Sequence, residues 1–207
     1  MTTRRLFLQQ SATLAAAAAL PAPSAEAQGP GIIDCNITIG HWPFRHHRGQ
    51  EISSIPANCE RLRQRGLVQG WAGSFEGIFH SDLRTANAVL HDRCVEYASR
   101  LLLPVYAINP ALPSWENDFE HCQEVNRLRA IRLHPNYHGY KLDDPRFLEL
   151  LTAAAEKRFL VQITAQMEDE RTQHPLMQVP PVDLKPLRAA LEKVPQARVM
   201  VLNANRA

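Results

Sequence analysis

Asp144-Pro145-Arg146-Phe147-Leu148-Glu149-Leu150-Leu151-Thr152-Ala153-Ala154-Ala155-Glu156-Lys157-Arg158-Phe159-Leu160-Val161-Gln162-Ile163-Thr164-Ala165 places a helix directly before a strand. Asp144 can cap the helix, and Pro145 suits its first position because the N–H it lacks would have no partner there. Phe147, Leu150 and Leu151 supply an apolar stripe at helical spacing, and the helix should run to about Lys157. The next seven residues, 159–165, are mostly apolar on successive positions, as in a strand buried on both faces of a parallel sheet. A shorter run of the same kind, 130–133, lies upstream, so this part of the chain spells strand, helix, strand.

The pattern repeats outward from that unit. Candidate strands fall at 32–39, 67–72, 101–108, 130–133, 159–165 and 197–202, with starts 35, 34, 29, 29 and 38 residues apart. Each interval accommodates one strand, one helix and their loops. Ser81, Ser114 and Asp183 can cap helices over 81–99, 114–126 and 183–193, and 56–65 is a weaker candidate. Repeated βα units mean an α/β fold, and the spacing admits an eight-stranded barrel or an open doubly wound sheet. A barrel needs about 250 residues and eight strands. Six candidate strands would make this one incomplete, with about six βα units of eight.

The N-terminus has a different character. Arg4-Arg5-Leu6-Phe7-Leu8, an alanine-rich apolar core to Leu20 and the small-x-small end Ala25-Glu26-Ala27 follow in the order of a twin-arginine signal peptide. Residues 1–27 are therefore expected to be a leader read by the twin-arginine export machinery. Residues 28–207 are then the mature domain, exported to the periplasm. The mature part carries 21 basic and 20 acidic residues. That balance, without a basic run, argues against a nucleic-acid partner. No later stretch is long and apolar enough to span a bilayer. Cys35, Cys59, Cys94 and Cys122 are too widely spaced for a zinc knuckle and are expected as buried thiols, with room for one disulfide.

In either α/β architecture the chemistry gathers at strand C-terminal ends. The fourth strand is followed by His134-Pro135-Asn136-Tyr137-His138-Gly139-Tyr140-Lys141, and the fifth by Gln166-Met167-Glu168-Asp169-Glu170-Arg171-Thr172-Gln173-His174. His134 is the candidate general base, with Glu168 or Asp169 to orient it or act in its place. Arg132, Lys141 and Arg171 are candidates to bind a substrate carboxylate. Tyr137, Tyr140 and His174 complete the candidate pocket. His41, His46 and His47 follow the first strand; loop histidines of this kind are more often exposed or hydrogen-bonded than metal ligands.

Ile33-Asp34-Cys35-Asn36-Ile37-Thr38-Ile39-Gly40 resembles the opening strand of the amidohydrolase-related family, (β/α)8 TIM-barrel metal-dependent hydrolases and decarboxylases. Ile131-Arg132-Leu133-His134-Pro135 with Gly139-Tyr140 is similar to its fourth-strand segment, and Leu160-Val161-Gln162-Ile163 to its fifth. The resemblance implies a small carbonyl- or carboxylate-containing substrate and a divalent metal such as zinc. The metal positions depart from it. Asn36 and Thr38 stand where the family has paired histidines, Ala165 where it has another, and Asn203 and Asn205 where a sixth-strand histidine is usual. The family's metal-binding aspartate follows an eighth strand. Neutral amide, hydroxyl and methyl groups are poor replacements for imidazole on zinc. The expectation is an enzyme of this class with its usual metal ligands replaced. The alternatives are a non-catalytic ligand-binding relative and a truncated chain without function.

Overall fold

The computed structural model describes residues 31–44, 54–98, 101–125 and 128–204. The leader read over 1–27 lies outside them, as do His46, His47 and Asn205. The chain divides into Met1–Pro30 and Gly31–Ala207, and the fold below is that of the second unit.

Its elements alternate as the spacing predicts. They are β1 (Ile32–Ile39), α1 (Ile55–Gln64), β2 (Leu67–Ser74), α2 (Glu76–Phe79), α3 (Leu83–Tyr97), β3 (Leu102–Pro104), β4 (Tyr106–Ala107), α4 (Trp115–Val125), β5 (Ala130–Leu133), α5 (Pro145–Glu156), β6 (Leu160–Thr164), α6 (Lys185–Lys193) and β7 (Arg198–Leu202). Every strand pair is parallel. The order is sequential, β1-β2-β3 in one ladder and β4-β5-β6-β7 in the other, with no reversal of winding. Among the described residues β1 pairs only with β2 and β7 only with β6, so both ends are open edges, as expected.

The single strand expected over 101–108 is two pieces. Pro104 has no N–H for the ladder and ends β3. The next residue bridges the break, Val105 donating to the Ala72 carbonyl at 2.7 Å.

The caps are partly as read. Asp144 accepts from the Arg146 N–H at 2.9 Å. Asp82, not Ser81, caps α3, accepting from the Thr85 N–H at 3.0 Å. Asp183 accepts from the Lys185 N–H at 3.0 Å, one residue outside the Leu184 cap of α6. The short α2 was not foreseen.

β5, and β6 from Val161 on, are buried on both faces, but only one face is apolar. Ile131, Leu133, Val161 and Ile163 join Phe147, Leu150, Leu151 and Ala154 of α5 in the core. Phe147, Leu150 and Leu151 are fully buried, each stabilising by about 1.5–3 kcal/mol. The opposite face is polar. There Arg132 and Gln162 lie side by side in register, the Arg132 Nε donating to Gln162 Oε1 at 2.8 Å. This polar face curls inward until opposite strands meet through side chains. Gln162 Nε2 donates to the Cys35 carbonyl of β1 at 2.9 Å, and Asn36 Nδ2 to Asn203 Oδ1 beyond β7 at 2.7 Å.

All four cysteines are free thiols; Cys59, Cys94 and Cys122 are buried and Cys35 is half-buried. Among the described residues no helix is long and apolar enough to cross a membrane.

Candidate functional site

The strand that carries Arg132 inward ends one step later at His134. Leu133 pairs with Ile163, so His134 and Thr164 follow side by side on the polar face. Both are buried, at 3% and 5% exposure, and neither His134 Nδ1 nor Thr164 Oγ1 has a protein partner. Above them the chain makes one helix-like turn, the His138 N–H donating to the His134 carbonyl at 2.9 Å, with the two imidazoles edge-on at 5.7 Å. His138 Nε2 donates to the Gly77 carbonyl at 3.1 Å, which leaves Nδ1 as an unpaired lone pair. The Tyr140 ring stacks on Phe147, and its buried hydroxyl also lacks a partner. A buried polar group without a partner costs about 1–3 kcal/mol. Such a concentration at the strand ends marks a place adapted to something polar.

Burial lowers the pKa of His134 well below the usual value, with His138 and then Arg132 adding to the effect. The imidazole is neutral at neutral pH. Burial likewise takes His138 down to about 4, although its bonds to the α2 backbone oppose the shift. Tyr137 is pushed up to about 12, mainly by burial and then by Glu168. That pair places Glu168 of the β6 loop near the β5 loop, on the same rim as His134.

Aromatic rings cluster around Tyr137 of the same turn. Trp42 is 2% exposed and packs against Phe75 and Phe79, each at 5.2 Å, and Tyr137 at 6.3 Å. His174 packs against Phe44 at 5.2 Å, and its Nδ1 accepts from the Leu176 N–H at 3.2 Å. Arg93 donates to Glu76 Oε1 at 2.5 Å, while Oε2 is buried without a partner. Gly40 has φ +98 and lies so close to Glu76 that a Cβ there would collide with the carboxylate.

Several expected site residues have other duties. Arg132 is 2% exposed and its donors go to Gln162, Thr38 and the carbonyls of Cys35, Ile37 and Trp71, none of them a ligand. It fastens strands together and has no N–H free for a substrate carboxylate. Asp169 and Arg171 satisfy each other: Asp169 accepts from the Arg171 backbone and guanidinium, with the closest contact at 2.6 Å, on an exposed 3-10 turn. That bond holds Asp169 down at about 2. Lys141 is exposed. Trp42, Thr164 and His138 were not among the expected site residues. The four-residue spacing of His134 and His138 was the available signal for the last of these.

The positions that resemble a metal site do not fit one. Asn36 and Asn203 are bonded to each other, and Asn203 Nδ2 donates to the Gln166 carbonyl at 2.8 Å. Thr38 faces the Arg132 guanidinium at 3.4 Å, a fixed positive charge where a cation would have to sit. Ala165 has no donor atom in its side chain. Among the described residues no three His, Cys, Asp or Glu side chains converge.

No family model matches the sequence, and no curated protein does. Solved structures do. An IDCase from Metarhizium anisopliae superposes with a TM-score of 0.57 at 11% identity, over 84% of this chain and 65% of that one. A 2,6-dihydroxybenzoate decarboxylase from Rhizobium gives 0.58 at 10% identity, over 83% and 65%. A 5-carboxyvanillate decarboxylase from Novosphingobium aromaticivorans with bound manganese gives 0.51 at 13% identity, over 84% and 66%. At these identities the likeness is one of fold. The chain spans about 65% of the length of the structures it matches.

Proposed function

We propose that residues 28–207 supply about six βα units of an amidohydrolase-related (β/α)8 barrel that acts on a small carbonyl- or carboxylate-bearing substrate at the strand C-terminal ends. The observation that carries this reading is His134, a buried neutral imidazole with an unpartnered Nδ1 on the polar face beside Thr164. A neutral imidazole in that place can accept a proton or a hydrogen bond from a substrate. Thr164 can bond a substrate oxygen, and Trp42 and Tyr137 can cover a flat ring. The matched structures named as decarboxylases of aromatic acids support that ring and carboxylate chemistry. The reaction would proceed without the family's usual metal ligands.

Titration calorimetry with 2,6-dihydroxybenzoate and with benzoate tests the reading. Saturable binding is expected, weakened at least tenfold by His134→Gln at an unchanged melting temperature. Binding that ignores this substitution would refute the assignment. The Asn36–Asn203 bond, which ties up two metal positions, favours a second reading in which the relative binds but does not catalyse. Release of carbon dioxide from a bound acid separates the two.

We further propose that residues 1–27 direct twin-arginine export with cleavage after Ala27, because charged start, apolar core and cleavage site occur in order. Replacing Arg4 and Arg5 by Lys should hold the precursor in the cytoplasm. Mature protein arriving in the periplasm at the unaltered rate would remove this proposal.

A further inference from the structure

At the end of the sheet opposite His134, Arg129 precedes β5, Arg158 precedes β6 and Arg198 opens β7. All three line an open cavity of about 620 Å³, together with Trp71, Leu128 and Leu160. Among the described residues most other arginines are paired with an acid, although Arg61, Arg65 and Arg132 are not. Arg84, Arg93, Arg146, Arg171 and Arg188 each have a carboxylate partner. Arg129 donates to the Lys157 carbonyl at 3.1 Å and Arg198 to the Arg158 carbonyl. Among the described residues none of the three has an acid within ion-pair distance. Each guanidinium carries five N–H donors; the three side chains are exposed, with the Arg129 guanidinium over the Phe159 ring at 5.9 Å, so most of those donors are open to a ligand.

The backbone adds a second observation. Arg129 and Arg158 both have left-handed conformations, φ +50 and +58. Arg158 is the residue just past the Lys157 cap of α5, where glycine is the usual occupant because it takes this conformation without strain. An arginine there costs stability, and strain of this kind concentrates where a side chain has a task. The floor is apolar: Leu128, Leu160 and the Trp71 ring, whose Nε1 is already bonded to Gln69 Oε1 at 3.1 Å and so offers only its face.

We propose that this cavity binds a phosphate ester, with the three guanidinium groups on the phosphate and the body of the ligand over Trp71. Arginine forks match phosphate oxygens two at a time, and an aromatic floor accepts a flat or apolar body. The chain's overall charge is close to balanced, +2, so the cluster is a local feature rather than a sample of a basic surface.

The test uses the full chain at low salt, reading tryptophan fluorescence and calorimetry. The probes are inorganic pyrophosphate, a nucleoside monophosphate, and vesicles of phosphatidylcholine with or without phosphatidylglycerol. Saturable binding is expected, at least tenfold weaker in Arg158→Gly and in Arg198→Gln. Arg158→Gly should melt no lower than the parent, because glycine relieves the left-handed strain, so lost binding would not reflect lost folding. Preference for the soluble phosphates assigns the site to a small phosphate ester. Binding confined to phosphatidylglycerol vesicles and lost in the same variants assigns the phosphate to a lipid headgroup. No saturable binding to any probe, or binding that Arg158→Gly and Arg198→Gln leave unchanged, overturns the proposal.

Discussion

Replacing Arg132 with Met is expected to destabilise the fold by about 3–5 kcal/mol, because each buried acceptor left without its donor costs about 1–3 kcal/mol. The guanidinium is buried and no carboxylate bonds it directly; its N–H groups go to neutral oxygens, and the Asp34 carboxylate supports its charge from further off. Nε bonds Gln162 at 2.8 Å, NH1 reaches the Ile37 carbonyl at 2.9 Å and Thr38 at 3.4 Å, and NH2 reaches the Cys35 and Trp71 carbonyls, both at 3.2 Å. One side chain on β5 thereby fastens β1, β2 and β6. Burial lowers its pKa to about 10, which still leaves it charged at neutral pH. Removing it takes a donor from the Ile37 and Trp71 carbonyls and from Gln162 Oε1, while the Cys35 carbonyl keeps its bond from Gln162, and each orphaned group carries its own penalty. Lysine is not a substitute, because three donors on one nitrogen cannot reach acceptors spread around a planar fork. Urea unfolding of Arg132→Met and Arg132→Lys should show midpoints far below the parent. If Arg132→Lys unfolds at the parental midpoint, the guanidinium is not the fastening described.

The same residue marks the limit of what the sequence makes legible. The units of strand and helix are legible because apolar residues on successive positions recur at a regular spacing, and the Asp144-Pro145 cap announces α5 outright. The role of Arg132 is not. Its place at the end of a short strand suggests a ligand contact, but its acceptors Cys35 and Ile37 are 97 and 95 residues away. Only the inward curl of the sheet brings them together. Asp169 and Arg171 mislead for the opposite reason: two charges two residues apart can satisfy each other locally, and on an exposed turn they do. The split at Pro104 is readable in principle, since a proline inside a strand run removes a ladder donor. The place of Trp42 is not, because its burial depends on Phe75, Phe79 and Tyr137 arriving from elsewhere in the chain. His134 is legible because strand ends in parallel sheets face the site. That it is buried and neutral depends on His138 and Arg132 arriving beside it.

Acidification from pH 7 to pH 4 is expected to remove roughly 3 kcal/mol of stability through His138 alone. Its folded pKa is about 4, set chiefly by burial, against about 6.5 for an unperturbed histidine. As pH falls through 6.5 the unfolded chain takes up the proton first, while the folded chain resists until about pH 4. The stabilisation is therefore complete above pH 6.5 and lost progressively below it. His134 shifts in the same direction and steepens the loss. The Asp169 carboxylate, held down at about 2, titrates below this window in the folded chain. Urea unfolding at pH 7, 6, 5 and 4 measures the slope. His138→Gln is the control, because its amide N–H can still donate to the Gly77 carbonyl while carrying no titrating group. The variant should keep most of its stability at pH 7 and lose markedly less on acidification. A parent whose stability is flat between pH 7 and 4, or a variant with the parental slope, would show that the strand-end histidines are not buried in their neutral form.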